Sequence, residues 1–180
     1  NRYAADSLLN PQRYPVNWNR SFTLDVEEPV GGVLMLHGLS DSPYSMRALA
    51  GHFARNGLQV TGLRLPGHGT VPSGLLDFTW QDHAAAVRLA MRDLRRRLGP
   101  QRPLYIAGYS NGAALAVEYA LSVIEGEKLP PVDGLVLLSP AIGVSAVAAL
   151  AIWQARLSSL AGLGPGIFGA FGGSQVAINL

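Results

Sequence analysis

Pro103-Leu-Tyr-Ile-Ala-Gly-Tyr-Ser-Asn-Gly-Ala-Ala-Leu-Ala-Val-Glu-Tyr-Ala120 decides the reading of this chain. An apolar run, Pro103 to Ala107, leads into Gly108-Tyr-Ser-Asn-Gly112, and a helix-forming run from Ala113 to Ala120 follows. Strand, G-x-S-x-G, helix is the order that a nucleophile elbow needs, because the turn is too tight for a Cβ two residues to either side of the Ser. Ser110 is therefore the candidate nucleophile, with Gly108 and Gly112 as the residues that let the turn close. A glycine-framed Ser on an ordinary loop is the competing reading, and the flanking strand and helix favour the elbow.

The elements on either side continue the alternation. Phe22, Leu24 and Val26 alternate with polar residues over Ser21 to Glu27, as in a half-exposed strand. Val33-Leu-Met-Leu36 is a continuous apolar run, which suits a strand covered on both faces. A helix should run from Ser42-Pro43 to Asn56, with Met46, Leu49, Ala50 and Phe53 inward and Gly57 closing it. Leu58 to Leu65 reads as the next strand. Thr79 to Asp82 resembles a capping box, and Trp80, Ala84, Val87, Met91, Leu94 and Leu98 form an apolar stripe behind it until Gly99-Pro100. Gly134 to Leu138 is a further strand. Strands alternating with helices imply an α/β fold, a doubly wound and mostly parallel sheet.

Composition bounds the function classes. The chain has 180 residues, 48% of them hydrophobic and 14% charged, which suits a domain with a deeply buried sheet. Its net charge of +2 does not imply a nucleic-acid partner. The dense basic cluster, Arg92 with Arg95, Arg96 and Arg97, falls at a helix C-terminus and reads as a solvated face that complements the helix dipole. No Cys is present, which excludes disulfides, thiolate metal sites and a Cys nucleophile. The longest apolar stretch, Ala141 to Trp153, is shorter than the roughly 18 residues of a spanning helix, so no membrane span is expected. A soluble, cytoplasmic protein is the expectation for location, although a leader peptide removed earlier would leave no trace.

An attack by Ser110 on a carbonyl would need donors for the oxyanion. One is the amide of the residue after the Ser, Asn111; the other should lie on the loop after an earlier strand, where Leu36-His37-Gly38-Leu39 stands. Taken together and in order, His37-Gly38-Leu39-Ser40, Arg64-Leu-Pro-Gly-His-Gly69 and Gly108-Tyr-Ser-Asn-Gly112 resemble the α/β-hydrolase fold. The Pro-Gly-His-Gly loop is similar to that of the branch holding monoacylglycerol lipases, carboxylesterases and serine aminopeptidases. The resemblance covers residues 20 to 140. It implies that Leu39 and Asn111 supply oxyanion-hole amides, that Ser110 forms an acyl-enzyme, and that His37, Gly38 and His68 support the site structurally. It also implies an ester substrate with an apolar acyl group, and neither a metal nor an organic cofactor. His52 and His83 read as surface or packing residues, and Asp41 as a turn former.

One departure is large. In that family the acid and the His follow the nucleophile in the chain. Here no His follows His83, and the carboxylates beyond Ser110 are Glu118, Glu125, Glu127 and Asp133, none of them on a loop after a later strand. The triad acid and base are thus not identifiable in these 180 residues. The expectation is an incomplete hydrolase sheet lacking its last strands, with acid and His supplied by a further C-terminal segment or a second chain. Its parts would be an irregular arm at 1–19, the hydrolase core at 20–140, and at 141–180 an apolar segment that begins a cap or lid and ends in a weakly ordered tail over 162–180. On its own this chain would be inactive. The alternative is a non-catalytic ligand-binding protein built on the same fold.

Overall fold

The computed structural model of the chain describes residues 10, 13, 15–70 and 72–142. The chain divides into two compact units, Asn1–Ala141 and Ile142–Leu180, and the account below concerns the first. The expectations for 143–180, including the cap and the tail, lie outside the described residues.

Eight main elements alternate along the unit: β1 (Phe22–Leu24), β2 (Gly31–Leu36), α1 (Arg47–Arg55), β3 (Leu58–Leu63), α2 (Trp80–Leu98), β4 (Leu104–Tyr109), α3 (Asn111–Ile124) and β5 (Gly134–Leu138). The sheet order is β1-β3-β2-β4-β5. β1 runs antiparallel to β3, and the other pairs are parallel. The doubly wound, mostly parallel sheet expected from the alternation is therefore present.

β2 shows why its sequence is apolar at every position. All six of its residues are buried. Leu34 and Leu36 point into a core built with Met91, Leu94 and Leu98 of α2 and Leu115 and Tyr119 of α3. Val33 and Met35 point the other way, toward Met46, Ala50 and Val60. Helices on both faces leave no polar side to alternate with. α2 and α3 are tied together at their solvent side by Arg88, whose guanidinium forks onto Glu118 at 2.8 and 3.0 Å and also pairs with Glu127.

Chain signals set most of the boundaries. Thr79 caps α2 reciprocally with Asp82, as a capping box requires: Thr79 Oγ1 accepts from the Asp82 amide, and Asp82 accepts from the Thr79 amide at 2.8 Å. Gly57 and Gly99 end their helices at φ 82° and 79°. Several expectations need correction. β1 is only three residues long, because pairing with β3 stops at Leu24. The helix expected from Ser42 begins as a 3-10 turn, Pro43–Met46, and becomes α-helical only at Arg47. Trp80 is exposed, not part of the buried stripe: it is the first residue of α2, and the core residues of that helix begin at His83 and Ala84. The basic cluster is only partly a solvated face, since Arg95 donates to the carbonyls of Gly99 and Arg102 and Arg97 donates to Thr61 Oγ1.

The described end of the arm makes specific contacts with the core elements. Trp18 stands edge-on to Tyr44, Arg47 lies between the Trp18 and Phe22 rings at 4.7 and 4.2 Å, and Asn19 Oδ1 accepts from Ser42 Oγ at 2.8 Å.

The two-faced core makes a direct prediction. Leu34→Ala, at 0% exposure, should cost about 2–5 kcal/mol in urea unfolding, whereas Leu89→Ala, on the exposed side of α2, should stay within about 0.5 kcal/mol.

Candidate functional site

The winding of the sheet selects one place for a site. From β2 the chain crosses by α1 to β3, on one side of β2, and then by α2 to β4 on the other side. α1 covers one face and α3 the opposite face. The connections from β2 and to β4 thus run to opposite sides, and the C-terminal ends of these two strands mark the reversal of strand order, the position where doubly wound sheets bind ligands. Leu36 is paired with Gly108 at that end, so the loop carrying Leu39 and the turn carrying Ser110 begin side by side.

Ser110 occupies a strained conformation. Its φ of 52° and ψ of −114° are rare for a residue with a Cβ and cost on the order of 1–3 kcal/mol. The surroundings hold it there. Its amide donates to the Leu138 carbonyl at 2.9 Å, and its own carbonyl accepts from Ala113, Ala114 and Ala141. Gly108 and Gly112 make the turn possible in different ways. A Cβ on Gly108 would lie 2.5 Å from the Ala113 nitrogen, inside the turn itself. One on Gly112 would lie 2.6 Å from the Leu36 carbonyl carbon and 2.7 Å from the His37 oxygen, pushing α3 away from β2. Gly38 is close to the same turn, since a Cβ there would meet the Tyr109 ring at 3.1 Å and Ser110 Cβ at 3.5 Å.

Two main-chain donors remain uncommitted beside this turn. Among the described residues the amides of Leu39 and Asn111 have no main-chain acceptor. Asn111 opens α3, where amide dipoles favour negative charge. The Asn111 side-chain amide is also buried without a partner among the described residues, a feature the sequence offered no sign of.

Three of the four histidines cluster under the Leu39 loop. His37 is fully buried; its Nδ1–H donates to the Gly38 carbonyl at 2.9 Å and its Nε2 accepts from the Leu65 amide at 3.2 Å. Burial is the main cause that pushes its pKa down to about 4, so the ring is neutral, as that pair of bonds requires. His68 stands edge-on to His37 at 4.8 Å, with Nε2 at 2.7 Å from the Leu39 carbonyl and Nδ1 at 2.9 Å from the Pro66 carbonyl. His83 donates from α2 to the same Pro66 oxygen at 3.1 Å, and burial lowers its pKa as well. It is therefore a buried bonding residue rather than a plain packing one, which the sequence could not show because Pro66 is distant in the chain. His52 is exposed on α1, as expected. Asp41 forms a turn: its amide donates to Gly38 and its carboxylate accepts from the Ser42 amide at 3.1 Å.

The carboxylates beyond Ser110 sit elsewhere. Asp133 bonds the Leu104 amide at 2.7 Å, at the opposite end of β4 from Ser110, while Glu118 and Glu127 are engaged by Arg88. Among the described residues no group of three His, Asp or Glu side chains is placed to hold a metal ion. Nor is any helix among them long and apolar enough to cross a membrane. Beside the Leu39 loop lies a cavity of about 410 Å³, walled by Asn19, Leu39, Ser40, Asp41, His68 and Thr70 among others. The arm contributes Asn19 to its wall.

Sheet order, helix placement and the turn after β4 together define an α/β-hydrolase. The chain belongs to the serine aminopeptidase, S33, family, whose model matches residues 27–164. A thermostable monoacylglycerol lipase of Bacillus sp. (strain H-257) is 32% identical over 138 residues, covering 77% of this chain and 51% of that protein. Among solved structures, one of the metagenome-derived lipolytic enzymes LipS and LipT is 33% identical with a TM-score of 0.64, covering 74% of this chain and 51% of its own. A thioesterase domain from the curacin biosynthetic pathway is 26% identical with a TM-score of 0.53, over 77% of this chain and 49% of its own. The chain thus spans about half the length of these relatives.

Two outcomes are expected from this geometry. Gly112→Ala meets main-chain atoms that cannot swing aside, so it should cost several times the roughly 1 kcal/mol of an ordinary substitution, measured as a shift in the urea midpoint. The second concerns pH. In the unfolded chain His37 takes up its proton near pH 6.5, in the folded one only near pH 4, so between these values unfolding binds a proton and stability is lost as pH falls. His37 alone should contribute a loss approaching about 1.4 kcal/mol per pH unit between about pH 6 and 5 in urea titrations, and His37→Asn should remove that share while leaving the one due to His83, whose pKa burial also lowers.

Proposed function

We propose that this chain carries the nucleophile and the oxyanion hole of a serine hydrolase acting on carboxylic esters, lipase- or carboxylesterase-like in character. Ser110 attacks the acyl carbon, its strained turn holding Oγ clear of the helix, and forms the acyl-enzyme. The Leu39 and Asn111 amides receive the oxyanion, with His37, Gly38, Gly108, Gly112 and His68 supporting the site. The observation that carries this reading is the positive φ of Ser110 at a strand-to-helix turn, beside two amides that have no main-chain acceptor among the described residues. Strain of that kind persists only where the surroundings enforce it, and at such a turn it presents the side chain to a ligand.

Activation of Ser110 requires a base. The buried rings of His37 and His68 are committed to main-chain groups, and His83 uses Nε2 in the same way. We propose that the His and the acid come from a further segment or a second chain, entering beyond β5. Among the described residues that strand is the edge of the sheet, with Val136, Leu137 and Leu138 each more than a third exposed. Residues 20–140 are then the front part of the hydrolase core. Without the base, residual catalysis from the hole alone would fall several orders of magnitude short of the complete site.

A fluorophosphonate probe tests the assignment on the full-length protein. Labelling should fall on Ser110, as located by peptide mass, and vanish in Ser110→Ala; an unlabelled Ser110 in folded full-length protein would contradict it.

A further inference from the structure

We infer that His68 is a positioning residue for the oxyanion hole, acting through the Leu39 carbonyl; the inference rests on the acyl-enzyme reading above and deepens it. Leu39 is flanked by two peptide planes, the first held within the loop itself and the second from outside it. In the first plane the Gly38 oxygen accepts from His37 Nδ1 at 2.9 Å and from the Asp41 amide at 3.2 Å. The chain has no cis peptide among the described residues, so the Leu39 N–H of that plane points the opposite way from the Gly38 oxygen. In the second plane the Leu39 oxygen faces His68 Nε2 at 2.7 Å. Rotation about either bond of the Leu39 Cα would break one of these contacts. Together they aim the amide.

Nothing else on Leu39 can do this. Its side chain is 57% exposed and so gives the loop no apolar anchor, leaving the main chain as the handle. His68, by contrast, is firmly seated. It is 3% exposed and lies against the rings of His37 and His83, the latter projecting from the rigid helix α2. A neutral ring carries one N–H, and with that proton on Nε2 His68 donates to the Leu39 oxygen, its own place being set by the His37 and His83 rings packed against it. A residue that merely filled space would need no ring nitrogen at 2.7 Å from that one oxygen.

An oxyanion donor must sit within a few tenths of an ångström of its place, and an error near 1 Å can cost about a hundredfold in rate. Two variants separate positioning from packing. His68→Gln keeps a donor near the place of Nε2; His68→Asn keeps one near Nδ1 and loses the reach to Leu39. The experiment measures kcat and KM of the full-length protein with a short-chain p-nitrophenyl ester, normalised to the sites titrated by a fluorophosphonate. In His68→Asn, kcat per titrated site should drop by about 10- to 100-fold with KM within about threefold, since the interaction is made in the transition state. In His68→Gln most of that loss should be recovered. Equal kcat in wild type and His68→Asn, or equal losses in both variants that follow their thermal midpoints, would overturn the inference while leaving the Ser110 assignment standing. A wild-type protein that neither labels nor turns over would instead bring down the acyl-enzyme reading, and His68's role with it.

Discussion

The site depends on one close approach, that of the start of α3 to the end of β2. Gly112 lies against the carbonyls of Leu36 and His37 so tightly that no side chain fits between them. The contact fixes where α3 begins relative to the central strand, and hence how sharply the chain must turn after Tyr109. Ser110 absorbs that turn in its φ of 52°, and the hydrogen bonds to Leu138 and Ala141 hold it there from the β5 side. The strain cannot relax by moving the helix, because α3 is clamped on the sheet through Leu115, Ala116 and Tyr119 and joined to α2 by Arg88. A packed core of this kind transmits strain rather than dissipating it.

From that contact the rest of the arrangement follows outward. The end of β2 must hand the chain to a loop that passes directly over the Ser110 turn, which is why Gly38 sits against Tyr109 and Ser110. A loop so placed has an exposed leucine and almost no apolar footing, and it is held instead by polar contacts to buried imidazoles and by the Asn19–Ser42 hydrogen bond from the arm. His37 can serve there because burial keeps it neutral, with one nitrogen donating and the other accepting. The imidazoles buried at this end of the sheet bond main-chain groups, while the opposite end holds bonds such as that of the Leu104 amide to Asp133.

Much of this was legible in the sequence wherever the signal is local. The uninterrupted run from Val33 to Leu36 announced a strand covered on both faces, and Thr79 with Asp82 announced a capped helix, because each depends on residues within a few positions of one another. The five residues from Gly108 to Gly112 announced the turn for the same reason. What could not be read depends on contacts between distant segments. Trp80 fits the apolar spacing of α2 yet lies at its first turn, before the core residues of that helix begin. Trp18 and Asn19 sit in a polar arm with no period, and only the fold brings them to Arg47 and Ser42. The oxygens that His68 and His83 meet, those of Leu39 and Pro66, belong to the main chain, which no side-chain pattern encodes. No residue stands in the expected order for the acid and base, so the sequence reading ends at a candidate nucleophile and its candidate donors.

The family match to serine aminopeptidase, S33, and the lipolytic relatives agree with the fold, while the reaction rests on whether Ser110 and the two amides face a common point. A crystal structure of the full-length protein with a phosphonate or boronate adduct measures this directly. The account predicts a covalent bond to Ser110 Oγ, Ser110 still at positive φ, and one adduct oxygen about 2.7–3.1 Å from the nitrogens of both Leu39 and Asn111. An adduct oxygen turned away from both amides, or a relaxed Ser110 at negative φ, would contradict it.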